Sequence, residues 1–387
     1  MDRRSVLKIL ISGIVIPVVP LKIAYAAQKS GRRLVLIELS GANDGLNTVI
    51  PLNDHRYREL RPTIGLDRSE TITLSKDFGL HDAMKPVGKL WESGEMAVIH
   101  GLGYPGANRS HFKSIALWET GGDGSGSGRN GWLTEDIESL AGHDQLEAHG
   151  ISLDGGMGIF SSPSGIWLSM TSAQQFMELT SDEVPAVDTK NEALRMLLDR
   201  AHTLNSSMER ISKKLNKSSV RDFQIEGGDL GAQFTRAVLL INAGISSPIL
   251  KVKIGGFDTH EGQPWRHRNR LRNLGRATAD FAKALKKIGQ WENTLIMTYS
   301  EFGRRAAENY TEGTDHGTAA PHFIVGGSVN GGFWGVHPDL GKLEDGDMTF
   351  TMDYRAVYDR ILSDWFDIQD NRFLKYKNND LEGIFKA

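Results

Sequence analysis

The sequence contains no cysteine among its 387 residues. Disulfides, thiolate metal sites and a cysteine nucleophile are therefore excluded, and any bound metal has to be held by histidine, carboxylate or hydroxyl groups. The chain also lacks an excess of charge of either sign, because 45 basic residues face 48 acidic ones and give a net charge of −3. This balance argues against a broad nucleic-acid-binding or anionic-membrane surface.

Long apolar runs are missing as well. The run near the N-terminus, from Ile9 to Leu21, is shorter than the roughly 20 residues that a spanning helix requires, and two prolines interrupt it. The preceding segment Asp2–Lys8 resembles the twin-arginine export consensus, and Ala24–Ala26 forms an A-x-A cleavage site. We predict that residues 1–26 are a twin-arginine signal peptide. The mature protein would be periplasmic or secreted, without a stable membrane span; the alternative is an uncleaved N-terminal anchor.

What the chain does contain is a repeated order of apolar strand patterns and amphipathic helix patterns. The helical periodicities alternate with the strands, which predicts an α/β fold with a mostly parallel central sheet. We expect residues 27–387 to form one domain, with a helical insertion around residues 132–245 built on the sheet core. The predicted strands are Arg33–Leu39, Met96–His100, Gly150–Leu153, Pro248–Ile254, Thr294–Met297 and Pro321–Gly327.

Polar residues follow several of these predicted strands. Glu301 comes where the strand at 294–297 should end, and the pair Asp315–His316 follows on a glycine-flanked loop. In open α/β sheets the working site lies at the carboxyl ends of the strands. We therefore expect residues that are far apart in the chain to meet along a single rim of the sheet.

Two further strand ends carry acids. Asp44 follows the first strand in the turn-rich segment Ser40–Asn47, where it either bonds its own backbone or begins a functional site. Asp258 and His260 follow the strand at 248–254, and in an extended segment their side chains point the same way. They form a natural pair of metal ligands; the alternative is a capping aspartate beside a surface histidine.

Ser110 stands at the start of a predicted helix and has two interpretations. As an N-cap it would satisfy free backbone donors. As a nucleophile it would benefit from the same place, because the exposed N–H groups and the helix dipole favour a bound anion. Arg109 would complement phosphate or sulfate oxygens. His111 is a surface residue, a metal ligand or a proton shuttle, and these roles stay open.

Five segments together resemble the bacterial exported proteins grouped as domain of unknown function family 1501. They are Gly41–Asn47, Arg109–Phe112, Gly256–His260, Ser300–Arg304 and Gly313–Gly317. That family is related in fold to the alkaline phosphatase and sulfatase superfamily. The resemblance therefore implies an alkaline phosphatase-like three-layer sandwich with a mostly parallel central sheet flanked by helices. It also implies a site for up to two divalent ions (Zn, Mn or Ca), with metal ligands at Asp44, Asp258, His260, Glu301, Asp315 and His316.

By the same resemblance Ser110 takes the place of the nucleophile. We expect an exported metal-dependent hydrolase that cleaves a phosphate or sulfate ester of a small molecule or polymer, with Arg109 and His111 beside Ser110. Glu301–Phe302 stands where the superfamily has an Asp-His pair, so one imidazole is missing there. The alternatives are a non-catalytic envelope protein that binds a polymer or partner, and a purely structural role for one ion.

Overall fold

The computed structural model describes residues 31–122, 130–138, 140, 145–179, 189–218 and 223–386. The predicted signal peptide lies outside these ranges. The strands are β1 (Arg33–Ser40), β2 (Val49–Pro51), β3 (Thr71–Thr73), β4 (Phe78–His81), β5 (Met96–Gly103), β6 (Gly150–Ser152), β7 (Trp167–Ser169), β8 (Ile249–Gly255), β9 (Thr294–Tyr299), β10 (Ala320–Gly326), β11 (Gly332–Trp334), β12 (Leu343–Glu344), β13 (Asp347–Met348) and β14 (Met352–Asp353).

The helices alternate with these strands, as the sequence pattern predicts. None of the helices in the described part of the chain has both the length and the apolar character of a membrane-spanning segment. The helices are α1 (His55–Leu60), α2 (Gly88–Glu92), α3 (His111–Thr120), α4 (Thr134–Glu138), α5 (Ala173–Leu179), α6 (Glu192–Lys217), α7 (Gly228–Asn242), α8 (Gln263–Lys287) and α9 (Arg355–Arg360).

Nine strands of the described chain form one central sheet. Its order is β11-β5-β10-β9-β1-β8-β6-β7, and β14 also pairs with β5. All pairings are parallel except those of β10, which runs antiparallel to both β5 and β9. The parallel centre explains why β1, β8 and β9 read as apolar runs, since both faces of such strands are covered. The prediction of a mostly parallel sheet flanked by helices is confirmed.

Alternate residues of β1 supply two separate cores. Val35 and Ile37 pack in the apolar cluster that contains α7 and α8, whereas Leu36 packs in the cluster that contains Trp118 of α3 and Tyr358 of α9. Helices therefore cover both faces of the sheet, which gives three layers. Truncation of a residue such as Ile37 to alanine would leave a cavity and cost about 2–5 kcal/mol.

The region around residues 132–245 contributes two short strands to the sheet. We expected a helical insertion built on the sheet core with a strand at Gly150–Leu153, and β6 and β7 extend the central sheet beyond β8. Short parallel strands gain backbone hydrogen bonds by pairing with β8, so part of the region is built into the sheet. The long helix α6 covers Glu192–Lys217, and the Asn191 side chain caps it by accepting from the Leu194 N–H.

Candidate metal centre

Four chain segments deliver polar side chains to one rim of the sheet. His111 begins α3 after β5, Asp258 and His260 follow β8, Glu301 follows β9, and the loop that leads into β10 carries Asp315 and His316. The carboxyl ends of parallel strands lie at the same edge, and the antiparallel β10 begins at that edge. The expected convergence is found for these six residues, which contact one another directly.

The inner atoms of this cluster are three imidazole nitrogens and one carboxylate oxygen. His316 Nε2 lies 3.1 Å from His111 Nε2, 3.0 Å from His260 Nε2 and 3.3 Å from Asp258 Oδ1. Asp258 Oδ1 is also 3.0 Å from His260 Nε2 and 3.6 Å from His111 Nε2. Within the described residues, one atom each of His111, Asp258 and His316 forms a group able to hold a metal ion.

The outer nitrogen of each imidazole faces an acceptor. His111 Nδ1 lies 3.3 Å from Glu301 Oε1, and His260 Nδ1 lies 3.0 Å from Asp315 Oδ1. His316 Nδ1 lies 2.9 Å from the backbone carbonyl oxygen of Arg109. A carbonyl or ionised carboxylate oxygen can only accept, so each Nδ1 carries the proton in the neutral ring. In the neutral rings, the Nε2 atoms of His111 and His260 then each present a lone pair next to His316 Nε2.

The protonation states of the outer acids fit this assignment. Burial raises the pKa of Glu301, but hydrogen bonds from His111, Gly41 and Ala42 outweigh it and lower the pKa. The hydrogen bond from His260 lowers the pKa of Asp315. Burial lowers the pKa of His316, which favours its neutral ring, whereas the hydrogen bond with Glu301 raises the pKa of His111. Both acids are therefore carboxylates at neutral pH and hold the rings in the Nδ1–H form.

Acceptor atoms at such short range repel one another unless a proton or a metal cation lies between them. Neighbouring ligand atoms of a tetrahedral zinc site lie about 3.4 Å apart, given metal–nitrogen distances of about 2.0–2.1 Å. His316 Nε2 and Asp258 Oδ1 lie 3.0–3.6 Å from each other and from the Nε2 atoms of His111 and His260, which agrees with that value. The atoms that all lie within 4.8 Å of one another belong to His111, Asp258 and His316. Histidine ligands whose other nitrogen is held by a carboxylate or carbonyl are the usual arrangement around protein-bound metals. The chemistry of the donor set therefore fits a divalent ion.

Glu301 is held by the backbone at the end of β1. Gly41 and Ala42 have positive φ angles of 106° and 64°, which turn their two N–H groups toward the same point. Both donate to the Glu301 carboxylate at 2.9 Å, and the Ser300 hydroxyl donates at 3.0 Å. Successive N–H groups of this kind form an anion-binding nest. Glu301, predicted as a metal ligand, is thus placed on the outer nitrogen of His111.

Arg304 joins the loops that carry the cluster. Its guanidinium is fully buried and donates to the carbonyl oxygens of Gly41, Ala42, Phe257 and Thr314. It also donates to Asp258 Oδ1 at 2.5 Å. Burial raises the pKa of Asp258, but the hydrogen bond and charge of Arg304, together with His260 and His111, outweigh burial and lower the pKa. Arg304 therefore fixes the relative positions of three loops and keeps Asp258 ionised.

Asp44 is engaged elsewhere. Its carboxylate accepts from Arg61 Nη1 at 2.5 Å and Nη2 at 3.0 Å, and also from the Gln263 side chain. Burial raises its pKa, but the charge and hydrogen bonds of Arg61, together with His267 and Gln263, outweigh burial and the net pKa is lowered. The structure thus corrects the expected position: Asp44 lies in a buried ion pair instead of among the inner donor atoms. Its role as a metal ligand stays a prediction.

Ser110 and Arg109 flank the cluster. Ser110 occupies the N-cap position of α3 with extended backbone angles (φ −89°, ψ 121°), and its hydroxyl does not cap the helix. The Asn108 side chain accepts from the Ser110 N–H instead, at 2.8 Å. The Arg109 guanidinium pairs with Asp347. Neither role assigned from sequence is decided by these contacts, so nucleophile and anion-binding residue stay predictions.

Three residues that position the site were not singled out from sequence. Arg304 stands in the motif Ser300–Arg304, but its role depends on carbonyl groups of remote loops. Arg61 and Gln263 were missed because their partner Asp44 is distant in the chain. A usable signal was the position of Gln263 at the start of α8, three residues after His260.

The residues of the cluster fall in a region shared with other proteins. A family model described as "Protein of unknown function (DUF1501)" matches residues 97–372. The chain belongs to this family. The matched range of this DUF1501 protein contains His111, Asp258, His260 and His316, while Asp44 precedes it. The comparison with curated proteins gave no match.

Several solved structures are similar to this DUF1501 protein. The C-terminal periplasmic domain of EcEptC from Escherichia coli, in complex with Zn, has 9% identity and a TM-score of 0.39, covering 76% of this chain and 72% of that chain. PsFucS1 sulfatase from Pseudoalteromonas sp. has 12% identity and a TM-score of 0.38, covering 90% and 72%. The lipoteichoic acid synthase LtaP from Listeria monocytogenes has 10% identity and a TM-score of 0.38, covering 83% and 74%.

Proposed function

We propose that this protein is a metal-dependent hydrolase that cleaves a phosphate or sulfate ester. The observation that carries the proposal is the convergence of three Nε2 atoms and the Asp258 carboxylate at the strand-end rim. The rim is open to solvent, because the side chains of His260 and Asp258 are 43% and 47% exposed. A substrate can therefore approach the donor set directly, as a catalytic site requires.

The metal would be held by His111, Asp258, His260 and His316. Their imidazole-rich set suits Zn²⁺ or Mn²⁺ better than Ca²⁺, which prefers oxygen ligands. When bound, a divalent ion polarises an ester oxygen and lowers the pKa of an adjacent hydroxyl or water. This set supports one ion, and a second ion at Asp44 would have to displace Arg61 from a buried pair.

Ser110 is the proposed nucleophile. Its hydroxyl is not used to cap α3, and its neighbour His111 is part of the donor set. The N–H groups at the start of α3 favour an anionic ester group beside it. Arg109 would add a positive charge, although it first has to share or release Asp347.

Purified protein assayed with aryl phosphates and aryl sulfates, under several added metals, tests this function. Ser110→Ala should abolish turnover and retain metal, whereas His316→Ala should lose both. Ser93→Ala, an exposed position away from the rim, is the matched control and should keep full activity. Unchanged turnover in Ser110→Ala would remove Ser110 from the mechanism, and protein free of metal after metal-replete purification would remove the site.

Binding without catalysis is the second candidate, and three exposed aromatic residues favour it. Phe112, Trp265 and Tyr310 are 88%, 73% and 108% exposed, and they lie on the segments that carry His111, Gln263 and Asp315. Exposed large apolar side chains near one site mark a surface that binds a polymer or partner. Stoichiometric metal with no turnover on any ester, together with polymer binding lost in Trp265→Ala, would favour this candidate.

We also propose export to the periplasm or beyond by the twin-arginine machinery. The support is the Arg3–Arg4 motif and the A-x-A site at Ala24–Ala26. Mature protein should begin near Ala27, and Arg3→Lys/Arg4→Lys should retain the precursor inside the cell. Exported protein that begins at Met1 would contradict cleavage at this site.

A further inference from the structure

A cavity of about 570 Å³ lies beside β8 at the edge of the sheet that carries the metal centre. It arises because β6 pairs with β8 only over Gly150–Ser152, while β8 continues past Lys251 to Gly255. The Gln233 side chain of α7 satisfies the backbone of Lys253 there, accepting from its N–H and donating to its carbonyl, both at 2.8 Å. Residues of β8 and of α7 therefore line the cavity.

Two arginines reach this cavity without a carboxylate partner in the described part of the chain. Arg236 donates through Nη2 to the Leu153 carbonyl at 2.8 Å, but its Nε is buried and has no acceptor. Arg270 packs over Gly256, where a Cβ atom would stand 2.7 Å from its Nε. Gly256 has a φ of 91°, so a glycine there both permits the turn and leaves space for the guanidinium.

The acids of the cavity do not neutralise these arginines. Asp154 Oδ2 forms an ion pair with Lys251 Nζ at 2.7 Å, and Lys253 Nζ forms one with Glu38 Oε1 at 2.8 Å. Asp229, exposed in the first turn of α7, is the remaining acid among the lining residues. The cavity therefore presents two guanidinium groups, one of them with a buried unused donor, against one solvated carboxylate.

We propose that this cavity binds an oxyanion group of an organic ligand, held by Arg236 and Arg270. Guanidinium groups bind sulfate, phosphate and carboxylate through paired N–H donors, and the volume leaves room for the carrier of that group. Gly255 and Gly256 line the cavity and lead directly to Asp258. A ligand with a second anionic group would thus reach the metal centre, and that part rests on the proposed function. The substrate class is then a polyanion.

Binding of sucrose octasulfate, followed by calorimetry on the full chain, tests the cavity without any need for turnover. Wild type should bind it saturably and uncharged sucrose not at all. The double variant Arg236→Gln/Arg270→Gln should weaken binding at least tenfold. Arg276 lies on α8 with Arg270 but is paired with Glu226, so the affinity of Arg276→Gln should stay within twofold of wild type. Asp229→Asn should tighten binding several-fold, an increase that misfolding does not produce.

A metal-site variant separates this proposal from the catalytic one. His316→Ala should retain sucrose octasulfate binding even if it has no metal and no activity. Competition by inorganic sulfate, inorganic phosphate and acetate ranks the three oxyanions. Equal weakening by Arg276→Gln, or binding lost in His316→Ala but kept in the double arginine variant, would overturn the proposal.

Discussion

The guanidinium of Arg61 spans both carboxylate oxygens of Asp44, at 2.5 and 3.0 Å, and neither side chain is more than 1% exposed. Loss of one partner from such a pair leaves an uncompensated buried charge. We expect Asp44→Ala to lower the free energy of unfolding by about 3–5 kcal/mol, measured by urea denaturation. Metal content of the folded variant should be unchanged.

The control for Asp44 is a partly exposed pair of the same kind. Asp54 contacts Arg56 with side chains 20% and 37% exposed, so Asp54→Ala should cost no more than about 1 kcal/mol for the ion pair. If Asp44→Ala keeps its stability and loses metal, Asp44 is a ligand and the assignment of its structural role is wrong.

Glu301 should influence metal affinity through His111. In the wild type, Gly41, Ala42, Ser300 and His111 share the two carboxylate oxygens of Glu301. Glu301→Gln keeps the shape of the side chain but offers these donors only one acceptor oxygen. Loss of an acceptor behind a metal-binding histidine typically costs ten- to a hundredfold in affinity. Competition with a chelator measures this change, and Glu261→Gln, an exposed residue beside His260, is the control. Equal affinity in both variants would contradict the role of Glu301.

Arg304 should not tolerate replacement by lysine. A single ammonium group cannot reproduce the planar set of bonds to Gly41, Ala42, Thr314 and Asp258. Arg304→Lys should therefore weaken metal binding and lower stability by about 3 kcal/mol, as expected for a broken buried network. Arg305→Lys, a neighbour whose side chain is 37% exposed, should leave both quantities close to wild type. Wild-type metal affinity and stability in Arg304→Lys would contradict the role of Arg304 in fixing the three loops.

His100 should make the fold sensitive to acid. Burial lowers its pKa from 6.5 to about 3, and both ring nitrogens lack partners. Below pH 6.5 the unfolded chain takes up a proton that the native chain refuses until about pH 3. Stability attributable to this group is therefore present above pH 6.5. It is lost at about 1.4 kcal/mol per pH unit as the pH falls toward 3.

His100→Phe removes that contribution and fits between Phe78 and Phe333, which already contact the ring. Urea denaturation at pH 7 and pH 5, on protein freed of metal by chelator, should show a smaller acid loss in the variant than in wild type. His202→Gln, at an exposed position on α6, should leave the pH dependence unchanged. An identical acid loss in His100→Phe would contradict the buried neutral state.

The rim of the sheet could be predicted because it depends on local signals. Apolar runs followed by Asp258, His260 and Glu301 identify strand ends, and parallel strands bring those ends together. The partner of each side chain within the rim could not be predicted. Whether His111 Nε2 meets His316, or Asp44 meets Arg61, depends on packing between segments separated by many residues.

The same limit explains the region around residues 132–245. A three-residue strand such as β7 carries little periodicity, so the sequence indicates the strand at Gly150–Leu153 but not β7. The pairing of β6 with β8 is a tertiary event that no short window of sequence contains.

His111 and His316 stand 205 residues apart, yet their Nε2 atoms meet at 3.1 Å. The unfolded chain keeps only the local pairs Asp258–His260 and Asp315–His316, so the complete donor set for an ion exists only in the folded protein. Ligand affinity of that kind is thermodynamically linked to folding: at free metal one hundred times the dissociation constant, it adds about 2.7 kcal/mol to the native state. On the proposed metal binding, the supply of metal where the chain folds would therefore raise its stability against unfolding.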